Sequence, residues 1–164
     1  CSESQLYAYT SLFHMMKISA APTLPCLCAS IRRASRAITQ RYDEALRPAG
    51  LSITQFTLLQ ALSLAGDITQ GRLGEILAMD STTLTRTLRV MNRQGWISKV
   101  YGTDRRERRL RLTRAGKSEF NRAVPNWQKS QQSLRNQLGN ERWDDLMKLM
   151  NDTASLMVEQ GASD

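Results

Sequence analysis

The stretch from Ser81 to Lys117 constrains the fold more tightly than any other part of the chain, because a helical period, strand alternation and a one-signed charge run through it together. Leu84, Leu88 and Met91 recur at i, i+4 and i+7, one apolar stripe on a helix capped by Asp80 or Ser81 and running to about Gln94. Thr82, Arg86, Arg89 and Arg93 fall on the other side, about 180° away. Gly95 suits the position just past a helix C-terminus. Ile97–Tyr101 and Arg108–Thr113 then read as short strands, the second alternating Leu110 and Leu112 with Arg109, Arg111 and Thr113. Gly102, Thr103 and Asp104 supply the turn between them. Across 81–117 eleven basic residues (Arg86, Arg89, Arg93, Lys99, Arg105, Arg106, Arg108, Arg109, Arg111, Arg114 and Lys117) face two acids, Asp104 and Glu107. That balance of +9 compares with +8 for all 164 residues, so the remainder is close to neutral.

A compact basic helix followed by a basic hairpin is the electrostatic footprint of a module that docks on duplex nucleic acid. With 41% hydrophobic and 23% charged residues, the chain suits a soluble globular domain with its own core. No apolar run approaches the roughly 20 residues of a membrane span, so no membrane partner is expected. Cys1, Cys26 and Cys28 are too few and too clustered for a disulfide scaffold, which points to a reducing, cytoplasmic setting. Residues 1–19 begin without Met and show no clear period; they are expected to be a disordered leader or tag-like stretch, with Met15 or Met16 as an alternative start. The functional domain is then 20–164.

Pro22 and Pro25 bound an extended lead-in. From about Cys28 to Leu46, Ile31, Ala34, Ile38 and Leu46 keep a helical period, and Pro48-Ala49-Gly50 ends it. Thr54 is expected to cap a second helix with Phe56, Leu58, Leu59 and Leu62 inward, broken at Gly66-Asp67. Thr69 starts a short helix expected to bury Leu73, Ile76 and Leu77 and to stop near Met79-Asp80. Thr113 caps a long helix carrying Phe120, Val124, Trp127, Leu134 and Leu138, which Pro125 should kink. Gly139-Asn140 separates a last helix with Trp143, Leu146, Met147, Met150, Leu156 and Met157. The fold class expected is mainly α with a small β-hairpin wing: a winged helix-turn-helix domain at about 50–116, flanked by terminal elements at about 20–48 and 117–160.

Each part of that unit has a physical task on double-stranded DNA. The small side chains of Ser81, Thr82, Thr83 and Thr85 let a helix settle into the major groove, where Arg86 and Arg89 reach guanine edges or phosphates. Arg105 and Arg106, at the hairpin tip, suit a narrow A·T-rich minor groove, and Arg108 suits the backbone beside it. Asp104, an acid at the tip, is expected to brace a neighbouring arginine.

The segments Asp80-Ser-Thr-Thr-Leu-Thr-Arg86, Met91-Asn-Arg-Gln-Gly-Trp-Ile97, Asp104-Arg-Arg106 and Leu112-Thr-Arg-Ala-Gly116 resemble, in order and spacing, the MarR (multiple-antibiotic-resistance) family of bacterial winged-helix regulators. The resemblance covers about residue 28 to the end. It implies a homodimer built from both terminal regions, two winged domains on a pseudo-palindrome, Ser81–Arg89 in the major groove and Arg106 with Arg105 in the minor groove. It also implies a repressor that a chemical signal releases.

The sensor candidates are Cys26 and Cys28. Cys28 opens the first helix with Arg32 one turn on, an arrangement that favours a thiolate. Such a thiolate suits oxidation or a thiophilic metalloid, while small buried packing residues are the alternative. Cys28-Ala-Ser-Ile-Arg-Arg-Ala-Ser-Arg36 is similar to the reactive-Cys segment of the family's organic-hydroperoxide branch, and Tyr42 fits a supporting Tyr there. Arg32 and Ile53 stand where the other tyrosines of that pattern lie. Phe56, Trp127 and Tyr42, near Arg36 or Arg41, are candidates for a pocket that takes a small aromatic anion.

No enzyme is expected. The one histidine, His14, lies in the leader, no Gly-rich phosphate loop occurs, and no metal ligand set or cofactor is assigned. The alternative function is a non-specific architectural DNA- or RNA-binding winged-helix protein.

Overall fold

A computed structural model describes residues 25–101 and 108–161. The chain divides into two units, Cys1–Ile38 and Thr39–Asp164. The described part of the first is the leading portion of helix α1 (Leu27–Leu46), which begins with Ser30 N–H donating to the Cys26 carbonyl at 3.0 Å.

The second unit continues through the rest of α1, a single 3-10 turn at Arg47–Ala49, α2 (Ile53–Ala65), β1 (Ile68–Thr69), α3 (Gln70–Leu77), α4 (Ser81–Arg93), β2 (Ile97–Tyr101), β3 (Arg108–Leu112), α5 (Arg114–Leu138) and α6 (Asn140–Gly161). Helix α2 is central. Phe56, Leu58, Leu59 and Leu62 are all fully or almost fully buried and span too broad an arc for a one-sided amphipathic helix. It packs against both α5 and β3. The Phe56 ring lies 5.3 Å from Phe120 and stacks on Trp127 at 5.5 Å between centroids. Burial of four such side chains contributes roughly 6–12 kcal/mol before conformational entropy is set against it.

Caps follow the physics of unsatisfied helix ends, with one departure from expectation. Ser52, not Thr54, caps α2: its hydroxyl accepts the Gln55 N–H at 3.3 Å while the Gln55 side chain takes the Ser52 N–H at 2.9 Å. Asp43 accepts the Ile53 N–H at 2.6 Å, so a second oxygen serves the same helix end. Thr69, Asp80 and Thr113 cap α3, α4 and α5. Helix α5 continues through Pro125.

The wing is a three-stranded antiparallel sheet in the order β1-β3-β2 rather than a two-stranded hairpin. Ile68 and Thr69 pair with Leu110 and Arg109, and Ile97 to Tyr101 pair with Leu112 to Arg108. Strand β3 stops at Leu112, freeing Thr113 to cap α5. Helix α3 stops at Leu77, short of Met79-Asp80, where Ala78 adopts a left-handed conformation (φ 47°). Ile76 is 51% exposed, against the expectation that it is core, whereas Leu77 is partly buried and packs against the core as expected. The reason is that α3 meets its neighbour through Leu73 and Gly74, and Ile76 lies on the outer flank of that seam. At Gly74 a Cβ would sit 3.3 Å from Leu84 Cδ2, so the missing side chain lets α4 approach closely.

Candidate nucleic-acid interface

Helix α4 is the centre of the site. Leu84, Leu88 and Met91 are buried against the core, so packing fixes the rotation of the helix about its axis. That rotation leaves Ser81, Thr82, Thr83, Thr85, Arg86, Arg89 and Arg93 exposed. Its start is held by Asp80, whose carboxylate accepts the Thr83 N–H at 2.8 Å. Hydrogen bonding from the Thr83 side chain and backbone holds the Asp80 carboxyl below the usual carboxylate range. Among the described residues, Arg86, Arg89 and Arg93 have no ion-pair or hydrogen-bond partner, and their charge faces solvent.

The wing's arginines are not equivalent to those of α4. Arg111 makes a bidentate ion pair with Asp67, and Arg109 Nη1 donates to the Asp67 carbonyl oxygen at 3.2 Å. The Arg111 hydrogen bond, reinforced by the charges of Arg111 and Arg109, lowers the Asp67 carboxyl from its ordinary value. Asp67 sits in the turn before β1, so this contact ties β3 to the corner between α2 and α3. Arg105, Arg106 and the bracing acid Asp104 lie outside the described residues. Arg108 is placed by its backbone as the first residue of β3, opposite Tyr101.

Between α4 and the sheet lies a recess of about 190 Å³, lined by Gln70, Thr85, Arg89, Asn92 and Lys99 together with buried Leu88, Ile97 and Leu110. Gln70 Nε2 donates to Thr85 Oγ1 at 2.8 Å across it. Neither Gln70 nor Asp67 is marked by sequence period or motif; each acts across the fold.

Cys26 and Cys28 are exposed free thiols, and Cys28 stands in the first turn of α1. Tyr42 is buried in the second unit, where its hydroxyl donates to Gln131 Oε1 and burial pushes its phenol up from the usual range. Arg41 donates to Ser133 Oγ at 3.1 Å. Phe56 and Trp127 stack on each other, and Phe56 has no exposed surface. Arg36 is exposed and belongs to the first unit. No group of three or more His, Cys, Asp or Glu suited to a metal ion occurs among the described residues. No helix among them is long and apolar enough to cross a membrane.

Residues 49–109 match the sequence model of the MarR family. YwoH of Bacillus subtilis (strain 168), an uncharacterized HTH-type transcriptional regulator, is 30% identical over 94 residues, 57% of this chain and 69% of its own. The transcriptional regulator MosR of M. tuberculosis, solved in complex with DNA, superposes with a TM-score of 0.73 at 36% identity, over 80% of this chain and 96% of that one. A mutant of MarR from E. coli, complexed with operator DNA, shares the fold with a TM-score of 0.70 at 24% identity, over 77% of this chain and 92% of its own.

Proposed function

The chain belongs to the MarR family, and from that premise we propose that it is a homodimeric repressor that binds a pseudo-palindromic operator and leaves it in response to a chemical signal. Family membership makes it a DNA-binding transcriptional regulator and not an enzyme. The observation that carries the rest is the outward face of α4. Small hydroxyl side chains and arginines without protein partners stand on a helix whose rotation is locked by three buried residues. Ser81, Thr82, Thr83, Thr85, Arg86 and Arg89 are its major-groove residues, and Arg105, Arg106 and Arg108 extend it along the wing into a minor groove.

The homodimer is supported by the last helix. Leu146, Met147, Leu149, Met150 and Leu156 are all exposed on α6, and no other described element covers them. A second copy would bury them by isologous pairing, which also matches a twofold operator. The signal is assigned to the exposed thiols of Cys28 and Cys26, which an oxidant or a thiophilic metalloid reaches directly. Tyr42 lies further along the same helix and takes part only through its bond to Gln131. A small aromatic anion at Phe56 and Trp127 is the other candidate effector; closure of the two rings on each other weighs against it.

The test is binding to the DNA upstream of the protein's own gene, with random duplex as competitor. The wild type is measured reduced and after cumene hydroperoxide, alongside Cys28→Ser. Specific binding that oxidation abolishes in the wild type but not in the variant is the expected result. Equal competition by random duplex, on this fragment and on sites drawn from a genomic library, would favour the architectural alternative, since a true operator should win by about 10³ or more.

A further inference from the structure

We propose that Gln70 is a positioning residue for base recognition: its side-chain amide orients the Thr85 hydroxyl so that the O–H donates to an acceptor on a base edge. The inference rests on the reading of α4 as the recognition helix and adds a rule for what one of its residues reads.

The four threonines of α4 are in different hydrogen-bonding states. Thr83 is bonded through side chain and backbone to Asp80. The Thr87 hydroxyl donates to the Thr83 carbonyl at 3.0 Å and is turned back along its own helix. Thr82 meets Asp80 only through its backbone. Among the described residues, Thr85 alone of the four receives a hydrogen bond from another element, from Gln70 Nε2 at 2.8 Å. A hydroxyl has one donor and two acceptor positions. With an amide N–H directed at its oxygen, the Thr85 hydrogen must point away from Gln70. No acceptor among the described residues takes it, and the side chain is exposed.

Gln70 is well placed to impose this orientation. It is the first residue of α3, directly after Thr69, which pairs with Arg109 in the sheet and caps α3 by accepting the Arg72 N–H at 3.2 Å. Its backbone is therefore fixed from both sides, and its half-buried side chain has little freedom to lose. In the major groove guanine N7 and O6, adenine N7 and thymine O4 accept hydrogen bonds, whereas cytosine presents an N4 amino donor. An oriented donor at Thr85 selects against cytosine at the base it touches. A freely rotating hydroxyl can serve as donor or acceptor and discriminates less.

The experiment selects a binding site from a random-duplex pool with the full chain, then measures affinity for every single-base-pair variant of that site. Gln70→Leu keeps the side-chain size and removes the amide; Thr85→Val removes the hydroxyl; Thr85→Ser retains it. Gln70→Leu should relax discrimination roughly two- to tenfold, the worth of one neutral hydrogen bond, at the same base pair that Thr85→Val relaxes. The double variant should be no worse than Thr85→Val, Thr85→Ser should keep the preference, and thermal unfolding of Gln70→Leu should match the wild type. A uniform loss across all duplexes, additivity with Thr85→Val, or unchanged discrimination at that base pair would each overturn the proposal, leaving the regulator reading intact. If the wild type itself selects no sequence, the regulator reading fails first and this proposal with it.

Discussion

Replacing Gly116 by alanine tests how the wing is joined to the long helix. A Cβ at Gly116 would lie 2.0 Å from the Trp96 carbonyl oxygen, 2.9 Å from its carbon and 3.1 Å from Leu112 Cδ2. The first two are backbone atoms, which no rotamer change can move aside. Ordinary van der Waals contact begins at 3.4 Å, so α5 and the Trp96 backbone just before β2 must part by roughly an ångström. The same joint holds the Thr113 N–H donating to the Trp96 carbonyl at 3.0 Å, the Thr113 hydroxyl 2.6 Å from the Gly95 carbonyl oxygen and 3.2 Å from that of Trp96, and the Gly116 N–H donating to Thr113 Oγ1 at 3.0 Å.

Overpacking costs about 1–3 kcal/mol, and weakening one or two of these bonds adds about 1 kcal/mol each. Alanine's better helix propensity returns about 1 kcal/mol. The net loss is then about 1–4 kcal/mol, or a melting temperature lower by roughly 2–15 °C for a chain of this size. Urea unfolding at fixed protein concentration reads it, because association would otherwise shift the midpoint. Gly71→Ala is the control: nothing lies within 4 Å of a Cβ there, so stability should hold or rise by up to about 1 kcal/mol. A Gly116→Ala protein that unfolds at the wild-type urea concentration would refute the close approach of helix and strand.

Three further expectations concern the wing tip, the base of the sheet and the last helix. Arg106→Ala should weaken binding to A·T-flanked sites by roughly 1–3 kcal/mol, and an unchanged dissociation constant would remove it from the minor groove. Asp67→Asn should flatten the acid limb of stability. Because the folded-state carboxyl of Asp67 is lowered by Arg111, its contribution is complete above the unfolded value near pH 4 and is lost as pH falls through the lower folded value; urea midpoints between pH 2.5 and 6, ~0.5 apart, should show a shallower slope in the variant. Met150→Glu, a charge on the exposed apolar face of α6, should shift the protein to monomer in sedimentation and weaken operator binding; a dimer of wild-type affinity would place the interface elsewhere.

What could be read from the sequence was whatever repeated within a few turns or residues. The Leu84–Leu88–Met91 stripe predicts the buried face of α4 because three helical turns average out local exceptions. The Leu110/Leu112 alternation predicts the inward face of β3 for the same reason, and Thr113 and Gly95 mark boundaries through local backbone chemistry. Strand β1 was not legible: two residues have no period, and Ile68-Thr69 is a strand only because β3 lies beside it. Ser52 carried its signal openly, with Gln55 three residues on, but Thr54 stood nearer the apolar run. At the site, the sequence locates the charge without sorting it. A count of arginines treats Arg86 and Arg111 alike, and their difference comes from Asp67, 44 residues away from Arg111. The Gln70 contact to Thr85 is equally invisible to local pattern.

That sorting bears on how the interface works. If every basic residue from 81 to 117 faced DNA, sequence-independent attraction would dominate, and counterion release would scale with all of them. Instead Arg109 and Arg111 are engaged by one aspartate at the base of the sheet, where their charge is partly neutralised and the wing is anchored to the corner of α2 and α3. The arginines of α4 face solvent on a helix that cannot roll, because Leu84, Leu88 and Met91 are seated in the core. Charge that anchors the wing and charge that α4 offers to solvent are thus separated by a single acid. In the proposed interface the arginines of α4 are those aimed at bases, where a misplacement would cost selectivity rather than only affinity. Loss of Asp67 should therefore loosen the wing while adding a nominal positive charge, and its effect on affinity can go opposite to the effect of charge alone. Weaker specific binding despite that added charge is the outcome this separation of roles requires.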